Sequence, residues 1–330
     1  MAEEPQARIV EVLLRDGLQT MVYESDWHVP TTEEKLELIE MLADAGIPEL
    51  EVTGFVHPKV IPMLADASEV VQRLPDRPGT VYRALVPNLR GAQRAIAAGC
   101  TKLSALIVAS ETYNKKNSNM TLAENVEQIR LITELAKSEK DVVVNVSMGC
   151  CFLCPYEGEQ TEEHILGLIE TFVGFGITEI SIADSIGMAN PRMVGTRVKA
   201  ITSRWPELTL GMHMHDRTGM ALANIVAAFD NGATLFETCA GGYGGGISMP
   251  VSVLGMGNVP TEDVVNMFDE MGISTGVDLG AVRKAAERTA EIIGLPTYGR
   301  VSKYGTYQEF HELALQHIDA PARGNSALQK

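Results

Sequence analysis

The chain has 330 residues, of which 45% are hydrophobic, 21% charged and 5% aromatic. This composition is typical of a globular protein and excludes the disordered, collagen-like and disulfide-scaffold classes. Lys and Arg number 27 against 43 Asp and Glu, so the formal net charge is −16, which argues against a nucleic-acid partner and against binding to an anionic membrane surface.

The start of the chain and its cysteines bear on the cellular compartment. No apolar run approaches the ~20 residues that cross a bilayer, and the first residues, Met-Ala-Glu-Glu, are acidic where a signal peptide would be basic. We therefore expect a cytoplasmic protein. The five cysteines are Cys100, Cys150, Cys151, Cys154 and Cys239. Their odd number, with three close together in sequence, fits reduced thiols better than a disulfide framework. Cys151 and Cys154 form a C-x-x-C, which leaves a redox dithiol as an alternative, whereas a zinc site would need a second close pair.

Eight β-rich runs follow one another along the chain, and each precedes a stretch with helical signals. The runs cover residues 8–14, 49–53, 80–85, 102–108, 141–147, 179–183, 208–213 and 234–239. Alternating strands and helices with short links predict a parallel sheet with its helices outside. Eight such units in roughly 290 residues favour an α/β fold of the closed (β/α)8 TIM-barrel type. The open dinucleotide-binding fold is disfavoured because no G-x-G-x-x-G follows the first run.

Helix starts and stops lie between these runs. Thr31 and Glu34 form a capping box whose helix ends at Gly46. The further signals are a second capping box at Thr121 and Glu124, an N-cap with a first-turn proline at Asn190 and Pro191, and a glycine stop at Gly232.

The domain organisation is simple. No low-complexity linker interrupts the predicted barrel, so we expect one catalytic domain over residues 1–294. Residues 295–330 form a short C-terminal extension that caps the barrel, contacts another subunit or is partly disordered. We expect a homo-oligomer, namely a dimer.

Unusual polar residues fall at the carboxyl ends of the predicted strands, where barrels of this kind build their active sites. Arg15 and Asp16 follow the first strand, Glu51 ends the second, Asn88 follows the third, and Ser110 and Glu111 follow the fourth. Asp184 ends the sixth strand, and His213 and His215 end the seventh. Because these strand ends meet at one face of a barrel, we expect the side chains to converge there.

His213 and His215 are two residues apart on a predicted strand, so their imidazoles point the same way and can bind one ion. Asp16 adds a hard oxygen ligand, and Asn258 adds a fourth, neutral one. Two nitrogen donors combined with oxygen ligands suit Mg²⁺, Mn²⁺ or a similar divalent ion. Taken alone, an H-x-H pair is more often structural.

Three further charged residues lie near this set. Arg15 adjoins Asp16, where its guanidinium could stabilise a developing enolate or carboxylate; the alternative is a salt bridge at the rim. Glu51 and Asp184 would orient a ligand histidine or move protons. Their alternative is an ion pair across the barrel mouth.

A glycine-rich stretch follows the last strand, with five glycines in the six positions 241–246. Glycine lets backbone N–H groups approach an anion or ligand closely and lets a loop close over it. We interpret the stretch as a substrate-covering loop in preference to a merely flexible turn.

The chain resembles the 3-hydroxy-3-methylglutaryl-CoA lyase family, within the wider group of metal-dependent barrels that cleave or form carbon–carbon bonds. The resemblance covers nearly the whole barrel. It is carried by Leu14-Arg15-Asp16-Gly17-Leu18-Gln19, Glu51-Val52-Thr53-Gly54-Phe55, Val86-Pro87-Asn88, Ala109-Ser110-Glu111, Cys154-Pro155-Tyr156-Glu157-Gly158, Asp184-Ser185-Ile186-Gly187, His213-Met214-His215-Asp216, Gly257-Asn258 and Thr261-Glu262-Asp263.

The resemblance implies functions for several of these residues. It implies a divalent metal held by Asp16, His213, His215 and Asn258, with Arg15 as the catalytic arginine and Glu51, Asp184 and Glu262 in supporting roles. We predict that Gln19, Ser110, Gly244, Gly245 and Gly246 bind substrate. The family's reaction is a retro-Claisen cleavage, in which a metal-bound hydroxyl loses its proton and the adjacent bond breaks to a ketone and an enolate.

The chain departs from the family at two places. Gly246 stands where the family's glycine loop carries a catalytic cysteine. Cys239 is a candidate substitute, although a packed thiol is favoured there, and His57 and Tyr243 are further candidate proton donors. The segment 20–24, Thr-Met-Val-Tyr-Glu, replaces the Asn, Glu and basic residue that the family places near CoA.

We predict a carbon–carbon lyase that depends on a divalent metal, Mg²⁺ or Mn²⁺, and acts on a small-molecule carboxylate, either a 3-hydroxy acid or its acyl-CoA thioester. The alternative within the same group is a synthase that condenses a 2-oxo acid with acetyl-CoA. A third hypothesis is a barrel that binds a metal or metabolite without catalysis.

Overall fold

The computed structural model describes residues 5–20, 28–245 and 257–318. The strands in this part of the chain are β1 (Arg8–Glu11), β2 (Glu49–Gly54), β3 (Val81–Val86), β4 (Lys102–Val108), β5 (Val143–Gly149), β6 (Leu153–Cys154), β7 (Gly158–Glu159), β8 (Glu179–Asp184), β9 (Thr209–Met214) and β10 (Leu235–Thr238). Eight of them close a parallel barrel in the order β1-β10-β9-β8-β5-β4-β3-β2, while β6 and β7 form a separate antiparallel hairpin. The predicted (β/α)8 TIM barrel is confirmed.

Helices surround the barrel. Those in the described ranges are α1 (Thr32–Asp44), α2 (Ala67–Gln72), α3 (Leu89–Ala98), α4 (Glu111–Ser118), α5 (Leu122–Ser138), α6 (Glu162–Phe175), α7 (Pro191–Arg204), α8 (Ala221–Phe229), α9 (Thr261–Glu270), α10 (Leu279–Ile293), α11 (Arg300–Tyr304) and α12 (Tyr307–Gln316).

Local sequence signals explain where several helices begin. The amide of Glu34 donates to Thr31 Oγ1 at 3.3 Å, and the amide of Thr31 donates to the Glu34 carboxylate at 2.7 Å. Thr121 and Glu124 repeat this reciprocal pair at the start of α5. The predicted N-cap and first-turn proline of α7 are also present. These helix predictions are confirmed, and each of the eight predicted β-rich runs overlaps a barrel strand.

The first strand is shorter than predicted, because the chain after it winds into a tight turn. β1 ends at Glu11, and Leu13–Gly17 form a π-helical turn. The amides of residues 15–17 all donate to the carbonyl oxygen of Val12, at 3.1, 2.8 and 3.2 Å. The turn buries the arginine and the aspartate that the sequence singled out. Such π turns often lie at functional sites.

The apolar core lies between the sheet and the surrounding helices. Phe236 on β10 is fully buried and packs against Phe229 of α8 and Phe268 of α9, with ring-centroid distances of 6.4 and 5.2 Å. Offset and tilted ring pairs at these distances are favourable. The cluster therefore fixes β10 against two helices.

The interior of the barrel, by contrast, carries charged side chains where branched apolar residues are usual. Arg83 on β3 lies 2.6 Å from Glu237 on β10, and these two strands are not neighbours, so this contact crosses the interior. Glu49, Glu51 and Lys102 are buried in the same space and are ion-paired. Buried charges are tolerated when they are paired in this way.

All five cysteines are buried thiols without a disulfide. Cys151 Sγ donates to the carbonyl oxygen of Met148 at 2.9 Å, whereas Cys154 Sγ donates to Ser110 Oγ at 3.0 Å. The two halves of the C-x-x-C therefore bind different partners, which gives the redox-dithiol alternative no support.

The chain beyond the barrel docks on its last helices. α10 ends at Gly294, which adopts a left-handed conformation with φ of 75°. The amides of Arg300 and Val301 donate to the carboxylate of Asp263 at 2.9 and 2.8 Å, which joins α11 to α9. The division of the chain at residue 294 stays a prediction.

Within the described ranges, no helix combines the length and the apolar character that a membrane span requires.

Replacing Phe236 with alanine should destabilise the fold by roughly 3–5 kcal/mol, because the lost ring leaves a cavity between β10, α8 and α9. Urea unfolding followed by circular dichroism measures this loss. Tyr307→Ala is the control, since Tyr307 is 67% exposed. Its unfolding free energy should stay within about 0.5 kcal/mol of the unmodified protein. Equal losses in the two variants would contradict the assigned core.

Candidate active site

Three potential metal ligands meet at the carboxyl end of the barrel. Asp16 lies in the π-helical turn after β1, His213 lies in β9, and His215 follows directly after β9. The Nε2 atoms of the two histidines are 3.1 Å apart, and His215 Nε2 lies 3.5 Å from Asp16 Oδ2. All three residues are buried, and one donor atom from each lies within 4.8 Å of the others. The structure thus brings together three of the four ligands that the sequence pointed to.

Each imidazole is oriented through its second nitrogen. His213 Nδ1 lies 2.9 Å from Glu237 Oε2, its direct neighbour in the β9–β10 pairing. His215 Nδ1 lies 2.8 Å from the carbonyl oxygen of Ser185. Because both partners are acceptors, we assign the proton of each imidazole to Nδ1. The two Nε2 lone pairs then face each other.

The resulting arrangement fits a divalent cation. Two imidazole lone pairs beside the carboxylate of Asp16 repel one another unless a positive ion lies among them. Asn258 extends the set, since its Nδ2 donates to Asp16 Oδ2 at 2.7 Å and to the carbonyl oxygen of Tyr243 at 2.8 Å. Its Oδ1 is buried and has no hydrogen-bond partner among the described residues, so it is available as a ligand.

Arg15 lies between two carboxylates. Its Nε donates to Glu51 Oε2 and its Nη1 donates to Asp16 Oδ1. Burial would lower the pKa of Arg15, but Glu51 and Asp16 raise it above its usual value. Burial would likewise raise the pKa of Asp16, yet Arg15 and the two histidines hold it well below its usual range. Arg15 and Asp16 therefore form a buried ion pair in the barrel mouth and not an exposed salt bridge at its rim.

Asp184 closes β8 beside this cluster. Its Oδ2 accepts a hydrogen bond of 2.8 Å from the amide of Ala189, and its Oδ1 has no hydrogen-bond partner in the described part of the chain. Burial raises its pKa. The group that orients His215 is the carbonyl of Ser185, the next residue, and not this carboxylate. The catalytic role of Asp184 stays a prediction.

Gln19 and the glycine stretch enclose Asp16 from the solvent side. Gln19 Nε2 donates to Asp16 Oδ1 at 2.5 Å and to the carbonyl oxygen of Gly245 at 2.9 Å. The amide of Gly245 donates to Asp16 Oδ2 at 3.3 Å. Gly244 has a φ of 104°, and a Cβ there would press on the backbone of Asp16, so only glycine permits this approach. Gly246, the third predicted glycine, lies outside the described residues.

Two other predicted residues, Ser110 and Glu262, accept hydrogen bonds from backbone amides. Ser110 caps α4, with the amide of Tyr113 donating to its Oγ at 3.1 Å, and it is not among the residues that line the cavity beside the ligand cluster. Glu262 accepts 3.1 and 3.0 Å hydrogen bonds from the amide of Gly241 and the hydroxyl of Ser302. Burial raises the pKa of Glu262 to about 7. Glu262 therefore supports the glycine turn, while substrate contact by Ser110 stays a prediction.

A cavity of about 240 Å³ opens beside the ligand cluster. Arg15, Asp16, His213 and His215 line one end of it. The remaining wall is largely apolar and includes Val56, Ile61, Leu85, Leu106, Val108 and Met120. A concave apolar wall with a few converging polar groups is the usual form of a small-molecule site.

The three candidate proton donors occupy different places. His57 lines the cavity. Tyr243 is fully buried and its hydroxyl donates to the carbonyl oxygen of Leu295 at 3.2 Å. Cys239 is also fully buried, and burial raises its thiol pKa well above the usual value. Among these three described residues, only His57 reaches the space where a substrate would bind.

Two carboxylates that hold the site together were not singled out in the sequence. Glu237 orients His213, as described above. Glu11 accepts hydrogen bonds from the amide of Leu13 at 2.8 Å, the amide of Ala240 at 3.1 Å and the hydroxyl of Thr261 at 2.7 Å. Burial raises the pKa of Glu11 to about 8. The available signal was an acidic residue inside a β-rich run, where an apolar residue is expected.

Comparisons with known proteins agree with this geometry. The HMGL-like family model matches residues 6–288. A hydroxymethylglutaryl-CoA lyase of Bacillus subtilis is 38% identical over 292 residues, which cover 88% of this chain and 95% of the relative. A cytoplasmic 3-hydroxy-3-methylglutaryl-CoA lyase of Mus musculus is 35% identical over 296 residues, which cover 90% of this chain and 84% of the relative.

A solved structure leads to the same family. An HMG-CoA lyase from Acinetobacter baumannii, in complex with coenzyme A and 3-methylmalate, superposes with a TM-score of 0.85 at 34% identity, covering 94% of this chain and 98% of that one. The predicted resemblance, and with it the predicted class of carbon–carbon lyase, is confirmed by these relatives. Because the family model and the relatives align along most of its length, the chain belongs to the HMGL-like family.

Proposed function

We propose that this chain cleaves a carbon–carbon bond of a 3-hydroxy acid or its acyl-CoA thioester with the help of a divalent cation, Mg²⁺ or Mn²⁺. The observation that carries this proposal is the buried cluster of Asp16, His213 and His215 beside the buried guanidinium of Arg15, at one end of the cavity. The family relatives, which are named as lyases, favour cleavage over the condensing alternative.

The cleavage is a retro-Claisen step. The hydroxyl on C3 loses its proton, the C2–C3 bond breaks, and its electron pair becomes the enolate of the acyl fragment while C3 becomes a carbonyl carbon. A bound divalent ion supplies a Lewis acid that makes the hydroxyl easier to deprotonate. Asp16, His213, His215 and Asn258 are the residues that would hold this ion, and their two nitrogen and two oxygen donors suit Mg²⁺ or Mn²⁺.

Arg15 supplies the positive charge that the enolate needs. Its guanidinium is fixed by Glu51 and Asp16, lines the cavity and stays ionised. A charge that is already oriented in a water-poor site stabilises a developing anion more strongly than a mobile one does. The buried position of Arg15 favours catalysis over a barrel that merely binds a metal, since simple binding does not need this cation.

Two protons must move during the reaction. Glu51 and Asp184 each keep one carboxylate oxygen without a hydrogen-bond partner among the described residues, but neither lines the cavity, so the geometry assigns the hydroxyl proton to neither of them. His57 is our candidate to protonate the enolate, because it lines the cavity while Cys239 and Tyr243 are buried away from it.

The proposal covers two forms of the substrate, the free 3-hydroxy acid and its CoA thioester. The Acinetobacter baumannii relative binds coenzyme A and the small carboxylate 3-methylmalate in its solved complex. By analogy we propose that the carboxylate end of the substrate lies beside the ligand cluster, with the acyl carrier toward the cavity mouth.

The proposed activity is tested by incubating the protein with Mn²⁺ and a panel of 3-hydroxy acids and their CoA thioesters, 3-hydroxy-3-methylglutaryl-CoA among them. We expect a ketone or keto acid and the matching acyl product from at least one of them, and loss of turnover after EDTA treatment that added Mn²⁺ restores. Mn²⁺ binding without cleavage of any member of the panel would contradict the proposal.

Removing a ligand should weaken metal binding. We expect Asp16→Asn and His213→Ala to weaken Mn²⁺ binding by about a hundredfold or more, because the first removes the negative charge of a ligand and the second deletes a nitrogen donor. Isothermal titration calorimetry measures this change. His311→Ala is the matched control, since His311 is an exposed histidine on α12, and its affinity should equal that of the unmodified protein.

His57→Gln should lower kcat by roughly 10²–10⁴-fold if this imidazole protonates the enolate. Its Mn²⁺ affinity should not change, because His57 belongs to none of the ligand contacts. Cys239→Ala is the companion variant and should keep kcat within about twofold, because the buried thiol is not among the residues that line the cavity. A larger effect of Cys239→Ala than of His57→Gln on kcat would assign the proton to the thiol.

A further inference from the structure

The lower interior of the barrel is built around one fully buried guanidinium. Arg83 on β3 contacts three glutamates: Glu237 at 2.6 Å through Nη2, Glu51 at 3.2 Å through Nε, and Glu49 at 3.4 Å through Nη1. Neither the sequence motifs nor the predicted reaction uses this residue. Its three partners come from β2 and β10, on opposite sides of β1 in the barrel.

Two of these glutamates also contact the active site. Glu237 binds Arg83 through Oε1 and His213 through Oε2, which lies 2.9 Å from His213 Nδ1. Glu51 Oε1 forms an ion pair with Arg83 Nε at 3.2 Å without hydrogen-bond geometry, while Glu51 Oε2 accepts a hydrogen bond from Arg15. Each carboxylate therefore uses one oxygen for Arg83 and the other for a residue of the proposed catalytic machinery.

The side chain at position 83 must be an arginine for this arrangement to form. A guanidinium offers five donors in a fixed planar fork, so a single residue can bind two carboxylates in defined directions. An ammonium group has the same charge but no such fork. Without a cation between them, the two buried carboxylates would repel each other and turn away.

The lower layer of charges, which consists of Lys102, Glu49 and Glu179, offers a comparison within the same barrel. Lys102 is buried and lies 2.8 Å from Glu49 and 2.8 Å from Glu179. Neither of these glutamates contacts a proposed ligand or Arg15. Arg83 and Lys102 share Glu49 as a partner, but only Arg83 has further partners that themselves contact a proposed ligand or Arg15.

We propose that Arg83 is a positioning residue that fixes, through Glu237 and Glu51, the orientation of His213 toward the metal and of Arg15 toward the substrate. The proposal rests on the proposed function of the site, but its metal-binding half is measurable without any turnover.

The test is Mn²⁺ titration, followed by electron paramagnetic resonance, of Arg83→Lys, Arg83→Met and the matched control Lys102→Met, each checked for folding by circular dichroism. We expect Arg83→Lys to weaken Mn²⁺ binding about tenfold, as loss of an outer partner of a ligand does, and to lower kcat with little change in KM. Lys102→Met, which removes a buried cation of the lower layer, should leave Mn²⁺ affinity within twofold.

A double-mutant cycle identifies the route. If Arg83 acts on the metal through Glu237, then Arg83→Lys should have little further effect on Mn²⁺ affinity in a Glu237→Gln background. Additive effects would overturn this route. Should Arg83→Met fail to fold, Arg83→Lys decides the question because it keeps the charge.

Two outcomes overturn the proposal as a whole. One is a folded Arg83→Lys variant with Mn²⁺ affinity within twofold of the unmodified protein. The other is an equal loss of Mn²⁺ affinity in Lys102→Met, which would mean that any break in the buried charges loosens the site. Failure of the lyase assay with intact Mn²⁺ binding would count against the proposed function alone.

Discussion

The site depends on two imidazoles whose Nε2 atoms face each other at 3.1 Å, next to a buried carboxylate. Because each imidazole donates its Nδ1 proton to a fixed acceptor, neither ring can turn away without losing a hydrogen bond. The lone pairs of the two Nε2 atoms and of the Asp16 carboxylate are therefore concentrated at one point. Only a cation relieves that concentration, and the surrounding arginine, amide and glycine backbone are arranged around the place where it would lie.

Distant parts of the chain reach this point through a few shared carboxylates. Glu11 accepts hydrogen bonds from the π-helical turn, from the glycine stretch and from the start of α9, so one side chain aligns three of the segments that form the site. Glu237 and Glu51 perform the same task one level lower in the barrel. The interior that normally fills with branched apolar side chains is used here to transmit orientation.

Much of the fold and part of the site follow from local sequence. Capping boxes and alternating runs predict the barrel because they act over a few residues, and the two-residue spacing of His213 and His215 predicts that both imidazoles lie on one face. Partners that are distant in sequence could not be predicted in this way. Arg83 and Glu237 are 154 residues apart, and nothing near either residue indicates which buried charge will neutralise it. The π-helical turn is likewise not indicated by any of the local sequence signals, although three of its amides donate to one carbonyl oxygen.

The contrast between a strongly acidic surface and a paired, charged interior has a consequence for ionic strength. Dissolved salt screens exposed charges over distances of about 8–10 Å but penetrates poorly to buried pairs. A chain of net charge −16 repels an anionic substrate at low salt, so the rate of encounter rises as salt is added. The geometry around the ligand histidines, held by buried charges, is insensitive to the same change. We therefore expect added salt to change how often an anionic substrate arrives more than it changes the geometry around the ligand histidines.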